Sequence, residues 1–161
     1  MNDMKKVTIY TDGASRGNPG PGGYGVVLLY TDKDGKVIRK EMKEAFLSTT
    51  NNRMELMGAI VALKELKMPC EVELYSDSKY VVDAFNKNWI ENWKRKDFRK
   101  GKVDEVKNID LWQELIELTN KHNVKFNWVK GHNDNIENER CDKLANEAMD
   151  ELKNRGKGNI D

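Results

Sequence analysis

The chain has 161 residues, enough for one sizeable hydrophobic core and too few for two ordinary domains, so the sequence predicts a single domain over residues 1–161. Hydrophobic residues make up 38% and charged residues 34%, and no apolar run approaches the length of a membrane span, so we expect a water-soluble, cytoplasmic protein. The net charge of +1 predicts no nucleic-acid partner by itself, and the two distant cysteines, Cys70 and Cys141, argue against a zinc site and a disulfide framework.

The spacing of apolar residues predicts five strands and several helices. In chain order these are strands at 6–11, 24–30 and 36–46, a helix at 52–67, a strand at 71–76, a helix at 78–86, a basic segment at 89–102, a helix at 110–122, a strand at 124–129 and a last helix after a loop at 131–135. Only residues 154–161 lack such a pattern, and we expect a frayed tail there. Three strands followed by alternating helices and strands predict an α/β fold with a mixed sheet.

Two aspartates follow predicted strands directly. Asp12 and Asp77 each come at the C-terminal end of a strand, which is where open α/β sheets usually bind their ligands. If the two strands are parallel neighbours about 4.8 Å apart, both carboxylates lie at one edge of the sheet. Like charges at that distance favour either a shared proton or a cation between them.

Two further acids lie on predicted helices. Glu55 shares a helical stripe with Ala59 and Ala62, so its side chain is expected to point inward from the first turn, where a lone buried carboxylate is costly. Asp142 flanks the apolar stripe of the last helix. A cage made only of carboxylates suits Mg²⁺ or Mn²⁺ rather than zinc.

Each acid also has a purely structural explanation. Asp12 could begin an Asp-Gly turn, Asp77 could cap the following helix, and Glu55 could form a capping box with Asn52. Asp142 could be a solvated helix residue. For any one of these acids considered alone, the structural explanation is favoured. Four acids gathered at one edge of the sheet favour a metal site instead.

Six blocks of this sequence resemble, in order and spacing, the signature blocks of bacterial type I ribonuclease H. They are TDG at 11–13, GNPGPGGYG at 17–25, TTNNRMEL at 49–56, SDS at 76–78, WVKGH at 128–132 and NERCD at 138–142. The resemblance extends over nearly the whole chain. It implies the ribonuclease H fold, a five-stranded mixed sheet in the order 3-2-1-4-5 with strands 1–3 antiparallel and strands 1-4-5 parallel, flanked by about five helices.

The resemblance also implies an activity, which is endonucleolytic cleavage of the RNA strand of RNA/DNA hybrids, leaving 3′-hydroxyl and 5′-phosphate ends. By position, Asp12, Glu55, Asp77 and Asp142 correspond to the family's metal ligands, which hold two ions, Mg²⁺ or Mn²⁺, when substrate is bound. His132 corresponds to the family's mobile histidine. A histidine titrates near neutrality, which suits proton transfer or product release.

Substrate contacts are implied near the metal ligands, where donors and acceptors can reach 2′-hydroxyl groups across a minor groove. The residues concerned are Gly13, Ser15, Asn18, Thr50, Asn51 and Asn52, with Thr50 at a DNA phosphate. Turn and cap roles are also expected for these residues, and the two roles are compatible.

A basic segment carries two tryptophans one helical turn apart, Trp89 and Trp93. From residue 94 onward its basic residues are Lys94, Arg95, Lys96, Arg99, Lys100 and Lys102, opposed there only by Asp97. Such a cluster can follow phosphates while aromatic faces pack on sugars or bases. The alternative is a solvated run of charges with tryptophans in the core. The resemblance assigns the segment to the family's DNA-gripping protrusion, with Phe98 standing where some members carry tryptophan.

Other functions fit the sequence less well. The glycines at 20–25 formally match dinucleotide-binding and kinase patterns, but a strand follows them instead of a helix; we interpret them as a tight connection that lets backbone approach substrate. A hybrid-binding protein that does not cut is disfavoured by the four acids and His132. A DNA-acting nuclease of the same fold is disfavoured by Asn51 and Asn52 together with the basic segment. No exposed apolar strip is evident, so we expect a monomer with no membrane partner.

Overall fold

Five strands form one mixed sheet in the spatial order β3-β2-β1-β4-β5, as the sequence predicts. The computed structural model describes residues 4–98, 106–130 and 135–158. The strands are β1 (Lys5–Ser15), β2 (Gly20–Thr31), β3 (Val37–Thr49), β4 (Cys70–Ser76) and β5 (Asn123–Trp128). β1, β2 and β3 pair antiparallel, whereas β4 pairs parallel with both β1 and β5.

Helices cover both faces of this sheet. In the described residues they are α1 (Asn51–Lys64), α2 (Lys79–Asn86), α3 (Trp89–Arg95), α4 (Ile109–Asn120) and α5 (Ile136–Gly158). None of these helices is long and apolar enough to pass through a membrane.

Alternation along β1 divides the interior into two clusters. Val7 and Ile9 belong to the larger cluster, which includes buried residues of α1 and α4 such as Trp112. Tyr10 points to the opposite face and packs with the smaller cluster around Cys141 of α5. The sheet is therefore enclosed between α1 and α4 on one face and α5 on the other. Cys70 and Cys141 are both free, buried thiols, as expected.

The strands β1, β2 and β3 extend beyond the ranges that the sequence predicts. β1 continues to Ser15, which pairs with Gly22, so the glycine-rich stretch from Gly20 onward is part of β2. At Gly25 a Cβ atom would lie 2.2 Å from the carbonyl oxygen of Cys141. The glycines at 20–25 are therefore part of a strand, and the interpretation that they form a tight connection is wrong. Gly25 instead allows the backbone of α5 to pack directly on the sheet.

The ends of the helices also differ slightly from expectation. α1 ends at Lys64, three residues before the predicted end, with Glu65 as its C-cap. α5 continues to Gly158, into the stretch for which the sequence predicts a frayed tail, and residues 159–161 lie outside the described part of the chain.

Candidate active site

Asp12 and Asp77 lie side by side where the parallel pairing of β1 and β4 stops. The last pair in register is Thr11 with Ser76, so each aspartate is the next residue of its chain. β1 itself continues past Asp12, which pairs with Gly25 of β2. The prediction that the strand ends at Asp12 is therefore wrong, and an Asp-Gly turn is excluded. Asp77 does not cap α2 either. The cap is the Ser78 hydroxyl, which accepts a hydrogen bond from the Val81 N–H at 3.3 Å.

Glu55 reaches the same place from the second turn of α1. The helix is capped by Thr50, whose hydroxyl accepts the N–H of Arg53 at 3.2 Å, so Glu55 is not needed for a capping box with Asn52. A Cβ atom on Gly13 would lie 2.5 Å from the backbone nitrogen of Glu55, so glycine is what allows α1 to lie this close to β1. The Glu55 carboxyl is only 5% exposed.

Three carboxylates converge at this point. Asp12, Glu55 and Asp77 each offer one oxygen, and these oxygens all lie within 4.8 Å of one another. Asp142 of α5 lies close enough to Asp12 for its charge to help raise the pKa of that carboxyl. All four acids line one open cleft of about 470 Å³. The structure thus brings together the four acids that the sequence analysis singled out.

Burial and mutual repulsion disfavour ionisation of this cluster. Burial, followed by the charges of Asp77 and Asp142, raises the pKa of Asp12 to about 9. The pKa of Glu55 is also raised, first by burial and then by Asp12 and Asp77, against a backbone hydrogen bond from Gly13 that lowers it. At neutral pH the group therefore holds protons that a cation could displace.

The donor set fits a hard divalent cation. One Glu55 oxygen, Oε1, is buried without any hydrogen-bond partner, which is costly unless a ligand takes its lone pairs. The three converging side chains all offer carboxylate oxygens, the ligand type that Mg²⁺ and Mn²⁺ prefer.

Several predicted substrate residues border the cleft. Gly13, Asn51 and Asn52 line it directly. Ser15 ends β1, and Asn18 is exposed in the loop between β1 and β2. Thr50 caps α1, which confirms its expected cap role.

The sequence did not single out Lys79 and Tyr80, which line the cleft from the first turn of α2. The ammonium of Lys79 lies 4.6 Å from the centre of the Trp128 ring, and the indole N–H of Trp128 donates to the Asp77 carbonyl at 3.2 Å. Their position immediately after Asp77 and Ser78 was the available signal, since the first turn of a helix that follows a strand end faces the same edge.

The tryptophans of the basic segment are partly committed to the core. Trp93 meets Trp112 edge to face, with ring centres 4.9 Å apart, and Trp89 lies 6.5 Å from Trp93. Lys94, Arg95 and Lys96 are exposed, and Phe98 is half-buried. Core packing and an exposed basic edge are therefore both present. Arg99, Lys100, Lys102 and His132 fall outside the described residues.

Comparison with known proteins gives a consistent family. The family model for RNase H matches residues 4–150. The ribonuclease H of Lachnoclostridium phytofermentans is 56% identical over 146 residues, covering 90% of this chain and 92% of the relative. That of Clostridium botulinum is 55% identical over 152 residues, covering 92% and 99%.

Solved structures agree. The crystal structure of LC9-RNase H1, a type 1 RNase H with the type 2 active-site motif, superposes with a TM-score of 0.83 at 31% identity, covering 93% of this chain and 74% of that one. LC11-RNase H1, solved in complex with RNA/DNA hybrid, gives a TM-score of 0.67 at 29% identity, covering 91% and 98%. With its sheet order, its converging acids and these relatives in accord, the chain belongs to the ribonuclease H family.

Proposed function

We propose that this chain cleaves the RNA strand of RNA/DNA hybrids endonucleolytically at the acidic cleft, leaving 3′-hydroxyl and 5′-phosphate ends. The observation that carries the proposal is the convergence of Asp12, Glu55 and Asp77, from three separate elements, within 4.8 Å. Membership of the ribonuclease H family supports both the reaction and its dependence on metal. The hybrid bound to LC11-RNase H1 supports the substrate class.

The four acids would hold two Mg²⁺ ions, or Mn²⁺ in their place, with the scissile phosphate completing the ligand set. When bound, such a pair activates a water and stabilises the leaving oxygen. The protein's part is to keep the carboxylates pre-arranged: Asp12 and Glu55 are fixed by burial, at 4% and 5% exposure, while Asp77 and Asp142 are half-buried at the rim. Because the scissile phosphate supplies part of the ligand set, metal should bind weakly without substrate.

Selection of RNA would come from polar groups beside the acids. The amides of Asn51 and Asn52 line the cleft and can donate to and accept from 2′-hydroxyl groups, with Gly13 offering backbone groups. Ser15, Asn18 and Thr50 extend this surface along the hybrid. We place the DNA strand on the basic segment, where Lys94, Arg95 and Lys96 are exposed, with Trp89, Trp93 and Phe98 beneath them.

His132 remains part of the proposal as a proton carrier near the leaving group, from its position in the sequence motif alone. We also propose that the protein acts as a monomer in the cytoplasm. The two free, buried cysteines suit a reducing compartment. Among the described residues, the large exposed apolar side chains are dispersed: Val37 and Leu47 lie at opposite ends of β3, Met68 lies just before β4, Trp128 ends β5 and Ile136 begins α5.

The direct test is cleavage of end-labelled RNA/DNA hybrid, double-stranded DNA and double-stranded RNA with Mg²⁺. Wild type should cut only the RNA of the hybrid, and Asp12→Asn should lose at least about a thousandfold in rate, because electrostatic stabilisation at the reacting phosphate is lost. The matched control is Asp34→Asn, the same chemical change in the exposed turn between β2 and β3, which should cut like wild type. Cleavage by Asp12→Asn at the wild-type rate would refute the proposed site, and cleavage of duplex DNA would refute the proposed specificity.

A further inference from the structure

A line of hydrogen bonds runs from the candidate metal ligands to the surface of α5. The side-chain amide nitrogen of Asn146 donates to Asp142 twice, to its backbone carbonyl at 2.9 Å and to its carboxylate Oδ1 at 3.4 Å. Nη2 of Arg16 donates to Oδ1 of Asn146 at 3.3 Å and lies 2.8 Å from Oδ1 of Asp150. We refer to Asp142, Asn146, Arg16 and Asp150 as the Asn146 relay.

The relay fixes which way the Asn146 amide points. The amide nitrogen donates both of its hydrogen bonds to Asp142, one helical turn earlier. The amide oxygen accepts a hydrogen bond from the guanidinium of Arg16. A guanidinium can only donate, so it selects the orientation in which the amide oxygen faces Arg16. The opposite orientation would set that oxygen against the carboxylate of Asp142. Arg16 therefore determines that Asp142 receives a donor.

Asp142 needs such a donor more than the buried acids do. Asp12 and Glu55 are enclosed by packing, whereas Asp142 is half-buried on a helix surface. It lines the cleft beside Asp12, and a half-buried side chain on a helix surface can rotate away from the cleft unless a neighbouring group restrains it. The amide donor of Asn146, 3.4 Å from Oδ1 of Asp142, opposes that rotation.

We propose that Asn146, oriented by Arg16, is a positioning residue that keeps the Asp142 carboxylate turned toward Asp12 before a cation arrives. The inference rests on the proposed function in taking Asp142 as a metal ligand. Residues that orient a metal ligand typically contribute about 10–100-fold to metal affinity or activity. Neither Arg16 nor Asn146 touches the three central carboxylates in the described contacts, so their effect should pass through Asp142 alone.

The test is calorimetric titration of the full chain with Mn²⁺ alone, without nucleic acid, for wild type, Asn146→Ala, Arg16→Ala and the double variant. Asn146→Ala should weaken binding about tenfold and Arg16→Ala by less. The double variant should bind no more weakly than Asn146→Ala, because Arg16 acts only through Asn146. The control is Asn154→Ala, the same change at an exposed position of the same helix, which should bind Mn²⁺ like wild type.

Loss of fold is not expected, since alanine favours a helix interior more than asparagine does, and thermal unfolding of each variant checks this. Wild-type Mn²⁺ affinity in Asn146→Ala would overturn the proposal, and independent, additive losses in the double variant would overturn the role of Arg16. The proposed function fails separately, if wild type binds Mn²⁺ but leaves hybrid uncut. A wild type that binds no Mn²⁺ and cuts nothing would overturn both.

Discussion

Asp12 is a buried acid whose folded environment opposes its charge. It is 4% exposed and faces both Asp77 and Asp142, and its pKa is raised from 3.8 to about 9. A group whose pKa is higher in the folded than in the unfolded chain stabilises the fold fully only below its unfolded pKa. That stability is lost progressively as the pH rises from about 4 to about 9. The site is thus arranged for a cation at a cost to the stability of the metal-free protein.

The first prediction is that Asp12→Asn stabilises the metal-free chain. At about pH 7 the gain should be roughly 1–3 kcal/mol, the usual size of the penalty for a buried polar group without adequate partners. It should vanish as the pH falls below about 4, where the aspartate becomes protonated in the unfolded chain as well, and grow toward about pH 9. Thermal unfolding with a chelator across this range measures it. Mg²⁺ should stabilise wild type more than the variant; an asparagine variant less stable at every pH would contradict the prediction.

Glycine has opposite effects at two buried positions of this fold. At Gly25 an added Cβ would lie 2.2 Å from the Cys141 carbonyl oxygen, so Gly25→Ala must push α5 off the sheet. We expect a loss of about 1–3 kcal/mol or more in the free energy of unfolding. At Gly58, inside α1, the closest contact of a Cβ is an ordinary 3.5 Å, so Gly58→Ala should add about 0.5–1 kcal/mol by helix propensity. Urea unfolding of both variants checks the pair, and equal effects would contradict it.

At the residue scale the sequence was informative where function follows local pattern. Asp12 could be found because it follows the alternating run of β1, Asp77 because it follows β4, and Glu55 because it begins an inward helical stripe. The Asn146 relay could not be found in this way, because Arg16 and Asn146 are 130 positions apart and only the packing of α5 on the β1–β2 loop joins them.

Ion pairs fasten α5 to the outer strand β3. Glu41 accepts two hydrogen bonds from the Arg140 guanidinium, both at 2.9 Å, and Arg39 bridges Glu41 to Glu137 at 2.7 Å. The pKa of Glu41 is lowered to about 2, and its hydrogen bonds with Arg140 are the largest cause. This network holds the beginning of the helix that carries Asp142.

The third prediction is that the Glu41 carboxylate stabilises the fold only while it is ionised. Its pKa is depressed in the folded chain, so its contribution is fully present above about pH 4.5 and lost as the pH falls toward about 2. Since the ion pair between Glu41 and Arg140 is partly exposed, Glu41→Gln should lower the free energy of unfolding by only about 0.5–1 kcal/mol at neutral pH and by nothing below about pH 2. Glu91→Gln, which removes a more exposed partner 3.8 Å from Lys94, is the control and should change little. Denaturant unfolding of both variants at several pH values measures this. A loss of stability in Glu41→Gln that persists at low pH would show that the effect comes from packing and not from charge.

At the element scale the order and type of elements could be predicted, because each strand and helix carries its own period. Their ends could not, because pairing partners set them: β1 runs on to Ser15 only because β2 offers Gly22 and Gly23 opposite. The basic segment shows the same limit. Charge pattern identified Lys94 to Lys96 as a possible contact surface, but the packing of Trp93 on Trp112 depends on α4, far along the chain.

Across the whole molecule, the near-zero net charge conceals opposed local charges. The 28 basic and 27 acidic residues almost cancel, yet four acids line one cleft while Lys94, Arg95 and Lys96 stand exposed together at the end of α3. A hybrid must therefore be attracted by the basic edge while its scissile phosphate enters an acidic cleft that requires cations. Binding and cutting should accordingly respond to different residues and to different ions.

The last prediction separates those two responses. In an Asp12→Asn background, which binds without cutting, changing Lys94, Arg95 and Lys96 to glutamine should weaken hybrid binding roughly tenfold or more at about 0.1 M salt. The slope of log affinity against log salt should become shallower by just under three, since three phosphate contacts are removed and each contributes about 0.9. The control changes three exposed lysines elsewhere, Lys33, Lys36 and Lys67, to glutamine and so alters the net charge equally. If both triple variants lose the same slope, the effect comes from overall charge, and the basic segment is not the surface that holds the nucleic acid.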